Sequence, residues 1–142
     1  MKLLIIRHAQ PDYIHDSLTE TGFREAELLS QKLKHMPIAD LYCSPLGRAQ
    51  RTAKPTAEKC QLQVETLPWL REFTGEMQDP DEPGEKRFPW NLKPQFWTQQ
   101  PELYDRRRWT ENPFVKAGDM EQKYREVTDS FDALLARYGC RR

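Results

Sequence analysis

No stretch of this sequence stays apolar for the roughly 20 residues that a membrane-crossing helix needs. The apolar run nearest its start, Leu3-Leu4-Ile5-Ile6, stops at Arg7, too short for the core of a signal peptide. A soluble, cytoplasmic protein is expected. Net charge is also absent: 22 basic and 22 acidic side chains cancel, so no global field draws the chain to nucleic acid or an anionic membrane. Any anion site must therefore be local. Cysteine is scarce. Cys43, Cys60 and Cys140 are an odd number without metal-ligand spacing, which argues against a disulfide framework or a structural zinc. Cys43 and Cys60 fall on the inward side of predicted elements, as small apolar fillers in a reducing compartment. Only three histidines occur, His8, His15 and His35, and there are no internal repeats or low-complexity tracts.

What is present reads as one α/β domain. At 142 residues the chain can bury about two thirds of its unfolded surface and is too short for two ordinary domains. Residues 3–6, 40–43 and 62–67 are predicted to be parallel strands of one sheet, with helices over 19–36 and 46–60. Thr19 is a good N-cap, Ala26, Leu29, Leu33 and Met36 share a face, and Pro37 ends the helix. The second helix carries small residues, Ala49, Thr52, Ala53, Thr56, Ala57 and Cys60, suited to close packing on a sheet. Pro55 inside it implies a kink. A final amphipathic helix follows from Met120, Tyr124, Val127, Phe131, Leu134 and Tyr138 at spacings of three and four.

Two of the strand-like runs end in charged groups where the backbone turns towards a helix, the place where parallel α/β sheets bind ligands. Arg7-His8 follows the first, and Ser44-Pro45-Leu46-Gly47-Arg48-Ala49 follows Ala39-Asp40-Leu41-Tyr42-Cys43. A neutral imidazole can attack phosphorus, while guanidiniums clamp phosphate oxygens with fixed, forked donors. Arg48, in the first turn of its helix, is expected to act alongside the unpaired N–H groups and dipole there. The plain alternative for a single Arg-His pair is a solvated turn.

Taken in order, Arg7-His8-Ala9-Gln10, Leu18-Thr19-Glu20-Thr21-Gly22, Ser44-Pro45-Leu46-Gly47-Arg48-Ala49-Gln50-Arg51-Thr52-Ala53 and Leu70-Arg71-Glu72 resemble the motifs of the histidine phosphatase superfamily, the phosphoglycerate mutase-like proteins. The resemblance runs over residues 3–72. It implies a three-layer αβα fold with a mainly parallel sheet flanked by helices. It also implies that His8 is the nucleophile that becomes phosphohistidine, that Arg7 and Arg48 bind the phosphate, and that Glu72 donates a proton to the leaving group. No metal or cofactor is called for, and the partner is a small phosphorylated substrate or inorganic phosphate. Glu76, Asp79, Asp81, Glu82 and Glu85 are rival acids near Glu72, and Gly75 follows Glu72 at three residues where the family pattern commonly has four.

The family pattern includes a second histidine after a later strand, and neither His15 nor His35 occupies such a place. His15 reads as solvated or as a stand-in folded back to the site, His35 as a helix-terminal dipole contact. With family members usually longer, a fold incomplete at its C-terminus is expected: a fragment, a truncated product or a short divergent member. Residues 77–118 hold Trp90, Trp97, Trp109, Arg106-Arg107-Arg108 and six prolines. They read as a lid or specificity insert pinned by a satellite core of Trp90, Phe96, Trp97, Tyr104 and Phe114. A single-strand nucleic-acid platform fits poorly with a neutral chain. The expected function is a phosphatase acting through phospho-His8. The alternatives are a catalytically deficient phosphate-binding fragment or pseudoenzyme, and a mutase-type phosphotransferase.

Overall fold

Thr19 sets where the first long helix begins. Its hydroxyl accepts a hydrogen bond from Gly22 N at 3.1 Å, closing one of the orphan donors of α1 (Glu20–Leu33). Gly22, Ala26, Ser30 and Leu33 form the buried stripe of this helix, and the Ser30 hydroxyl donates to Glu27 O. α1 ends before Pro37, with Lys34 as its C-cap. The computed structural model describes residues 2–140 and divides into two units, Met1–Arg71 and Glu72–Arg142.

In the first unit, β1 (Pro11–Asp12) and β2 (Ser17–Leu18) make a small antiparallel hairpin ahead of α1. β3 (Leu41–Cys43) leads into α2 (Gly47–Cys60), which returns to β4 (Val64–Thr66). β3 and β4 pair in parallel, Leu41 opposite Val64 and Cys43 opposite Thr66, as expected of a βαβ unit. α2 runs unbroken through Pro55, buries Thr52, Thr56 and Ala57, and packs along α1 as well as against β2 and β3. Lys59 bonds both carboxylate oxygens of Glu27 at 2.7 Å, tying the two helices at their surface. At the end of α2, Gln61 adopts a left-handed conformation with φ of 55°, and Leu62 N bonds Ala57 O, the closing bond of a Schellman motif. Cys43 is buried, Cys60 half-buried and Cys140 exposed, all three as free thiols.

The expected strand at residues 3–6 does not form. Leu3, Leu4, Ile5 and Ile6 are 42–82% exposed and carry no ladder among the described residues. An apolar run reports a preference for burial, but a strand exists only through hydrogen bonds to a neighbour. The ladder of β3 is with β4 alone among those residues.

The second unit opens on β5 (Met77–Gln78) and β6 (Lys86–Arg87), an antiparallel pair. Three α-helices follow among the described residues, α3 (Pro94–Thr98), α4 (Pro113–Lys116) and α5 (Met120–Ala136), with short 3-10 turns around them. Its core is Met77, Leu92, Phe96 and Val115, with Trp97, Leu103, Trp109, Phe114 and Met120 packed around them. Phe96, Trp97 and Phe114 thus join the satellite core, whereas Trp90 and Tyr104 are exposed, Trp90 stacked on Phe88 instead. Asn112 is fully buried with its polar atoms met: Oδ1 accepts from Phe114 N, and Nδ2 donates to Gln100 and Glu102. Asp79, also buried, holds its charge against Arg87. The N–H of Asp81 and that guanidinium keep its carboxyl below the usual range. Along α5, Leu134 is buried and Met120, Val127 and Phe131 are half-buried, while Tyr124 and, past the helix end, Tyr138 are exposed. Among the described residues no helix is long and apolar enough to cross a membrane.

Candidate active site

The segment carrying Arg7 and His8 is irregular, so its position comes from side chains of the neighbouring helices. Ala9 N donates to Thr52 Oγ1 at 3.1 Å, and the Thr52 hydroxyl donates in turn to Arg48 O at 2.8 Å. Gln10 N donates to Glu25, and Gln10 O accepts from Thr19 N. Gly22 lets this happen: a Cβ there would lie 2.2 Å from Gln10 O.

His8 is half-buried, and its Nδ1 lies 2.8 Å from Ala9 O. A carbonyl can only accept, so Nδ1 carries the proton and Nε2 of the neutral ring keeps the lone pair. That tautomer presents Nε2 as a nucleophile. Tyr13, in the hairpin turn, meets the His8 ring edge-on at 6.5 Å between centroids and lies 5.3 Å from the Arg48 guanidinium carbon. His8 and Arg48 therefore share one neighbour. Arg7 is exposed beside His8, and Glu72 is exposed at the first position of the second unit.

The amides at the start of α2 are occupied, contrary to the expectation that they add to a phosphate site. Asp16 Oδ2 accepts from Gly47 N at 2.6 Å, and Oδ1 accepts from Arg48 N at 3.4 Å and Arg48 Nη1 at 3.0 Å. Ala49 N and Gln50 N both bond Leu46 O. The helix thus has its anion built in. These N–H groups, Gly47 first, hold the Asp16 carboxyl below the usual carboxylate range against the opposing pull of desolvation. Asp12 is lowered likewise, chiefly by the ring of His15 at 2.7 Å.

A group with a depressed folded pKa adds stability above its unfolded value, near 3.9 for Asp, and loses it as pH falls through the lower folded value. The urea midpoint is therefore expected to drop between about pH 5 and about pH 3. The drop should be smaller in Asp16→Asn, as read by circular dichroism. An equal drop in both proteins would show that Asp16 contributes nothing to it.

His15 is 73% exposed and engaged with Asp12, and His35 is exposed just past the end of α1. Asp16, Tyr13 and Thr52 were not singled out from sequence as site residues. One signal was available for Asp16: the residue before α2 is Leu46, which offers no capping oxygen, so the helix calls for a carboxylate from elsewhere. Among the described residues, no three His, Cys, Asp or Glu side chains cluster as metal ligands.

The model of the histidine phosphatase superfamily (branch 1) matches residues 3–139. The chain belongs to that superfamily. A probable phosphoglycerate mutase GpmB of Yersinia pestis (strain Pestoides F) is 46% identical over 56 residues, 39% of this chain and 26% of that protein. The same values hold for its counterpart in Yersinia pseudotuberculosis serotype O:1b (strain IP 31758). The match thus spans about a quarter of the length of these curated relatives. Among solved structures, the alpha-ribazole phosphatase of Shigella flexneri aligns with a TM-score of 0.54 at 23% identity, covering 94% of this chain and 66% of that one. At that identity the likeness is one of fold, and the fold of this superfamily member is α/β and phosphoglycerate mutase-like.

Proposed function

We propose that this protein is a phosphatase acting on a small phosphorylated metabolite through a phosphohistidine on His8. The observation that carries the reading is the Nδ1 hydrogen bond of His8 to Ala9 O, which leaves Nε2 as the attacking nitrogen. In the first step Nε2 bonds to phosphorus as the bond to the leaving oxygen breaks. The Glu72 carboxyl supplies the proton that oxygen takes, a role that rests on its place in the Leu70-Arg71-Glu72 motif. In the second step water attacks phospho-His8, Glu72 takes back a proton, and inorganic phosphate leaves. Arg7 and Arg48 neutralise the transferring group, the electrostatic term that dominates phosphoryl transfer. Residues 77–118 are assigned to substrate discrimination and the protein to the cytoplasm.

The kinship with proteins named phosphoglycerate mutase favours a second reading, in which phospho-His8 is shielded from water and passes its phosphoryl group to an acceptor hydroxyl. One experiment separates them: incubation with an aryl phosphate in the absence of added metal, followed by quenching in base. Acid-labile phosphate on His8 together with released inorganic phosphate is the expected result. Labelling without release, relieved by an added hydroxyl acceptor, would favour the mutase. No label at all would leave a phosphate-binding protein without turnover. For the isolated 142-residue chain, turnover is expected to be about a hundredfold or more below an ordinary ten per second, because none of its three histidines stands where the family pattern has its second one.

A further inference from the structure

We infer that Asp16 is a positioning residue of the phosphoryl site: its carboxylate fastens the start of α2 and the Arg48 guanidinium together, so that Arg48 meets a phosphate already oriented. The inference rests on the reading of Arg48 as a phosphate ligand.

Three features of the hairpin that spans β1 and β2 support it. Asp16 reaches Gly47 N, Arg48 N and Arg48 Nη1 with its two oxygens, so the backbone and the side chain of the same arginine are held by one carboxylate. A guanidinium is planar, so holding one of its nitrogens narrows the directions in which its remaining donors can point. Tyr13, three residues past Gln10, places its ring 5.3 Å from the same guanidinium and so restrains it from a second side. Arg48 is held closely as a result, its side chain only 11% exposed. Asp16 itself sits at φ of 43°, a left-handed conformation that few residues other than Gly, Asn and Asp adopt readily. The chain accepts this conformation where the carboxylate needs it.

A carboxylate near an anion site also repels phosphate. Here that repulsion is the smaller effect, because Asp16 is 45% exposed and its charge faces two N–H groups and a guanidinium. Asn at position 16 tolerates the backbone conformation but cannot reproduce the contacts, since its amide NH2 would face an N–H donor. Its charge is lost as well.

The test is a double-mutant cycle on inorganic phosphate binding, read by isothermal titration on the wild type, Asp16→Asn, Arg48→Ala and the double variant. Asp16→Asn is expected to weaken phosphate about tenfold in the wild-type background and less than about twofold when Arg48 is absent, since a residue acting through another loses its effect with its target. A merely structural role would lower the unfolding midpoint and leave phosphate affinity unchanged, or give equal losses in both backgrounds. Either result overturns the inference, as does tighter binding by Asp16→Asn, which would make Asp16 a competitor of phosphate. A wild type that binds no phosphate instead overturns the assignment of the site itself. Should Asp16→Asn fail to fold, ¹⁵N spectra of the wild-type Arg48 guanidinium decide: hindered rotation about Nε–Cζ is expected, and free rotation refutes the clamp.

Discussion

His8→Ala is expected to abolish acid-labile phosphate on the protein and to lower aryl phosphate turnover by about a thousandfold or more, as removal of a covalent nucleophile does elsewhere. His8 alone among the three histidines carries both a committed Nδ1 and a place beside Arg7, with Tyr13 linking it to Arg48. His15 is tied to Asp12 and 73% exposed, and His35 lies in the turn past α1. His15→Ala and His35→Ala should therefore keep the label. The fold should survive His8→Ala, because among the described residues the ring's hydrogen bond is to the adjacent residue and no helix or ladder depends on it. Quenched-reaction labelling of all three variants is the measurement. Persistent label in His8→Ala would move the nucleophile elsewhere.

Gly47→Ala is expected to destabilise the protein by about 2–3 kcal/mol, in the range of overpacked sites. Within a helix the change from Gly to Ala ordinarily helps, by up to about 1 kcal/mol. Here the new Cβ would stand 2.1 Å from Asp16 O and 3.1 Å from Asp16 Oδ2. The first is a backbone atom that no rotamer can move aside. Relief requires α2 and the hairpin to separate, which breaks the Asp16 to Gly47 N bond as well. Gly84→Ala is the control: nothing lies within 4 Å of its Cβ position, and the only cost is its φ of 96°, about 1 kcal/mol. Urea unfolding of the two variants compares them. Equal losses would show that the close approach at Gly47 is slack.

The motifs announced the family and both helices because those signals are local. Thr19, Gly22, Leu46-Gly47-Arg48 and the small-residue face of α2 lie within a few residues of what they determine. The parallel pairing of β3 and β4 was readable for the same reason, since a strand, helix, strand sequence of this length leaves little topological choice. Residues 3–6 show the limit, since four apolar residues in a row cannot specify which strand they would join. The grip of Asp16 on α2 was hidden for a related reason. Its partners are 31 and 32 residues away, and a lone aspartate before Ser17 is most simply a turn residue. Trp90 and Tyr104, expected in a satellite core, are exposed, whereas Met77 and Asn112 are fully buried.

The bond from Ala9 N to Thr52 spans 43 residues, and those from Asp16 to the start of α2 span 31 and 32. α1 and α2 are built from contacts three and four residues apart. Such long-range ties form only after loop closure has been met entropically, so the helices can exist before the nucleophile turn is fastened to them. Folding should therefore show helical signal first and the environment of Tyr13 later. In the native state the same ordering runs backwards. The Ala9 amide, held by one threonine hydroxyl, is expected to exchange with solvent deuterium through an opening that leaves the interior of α2 protected.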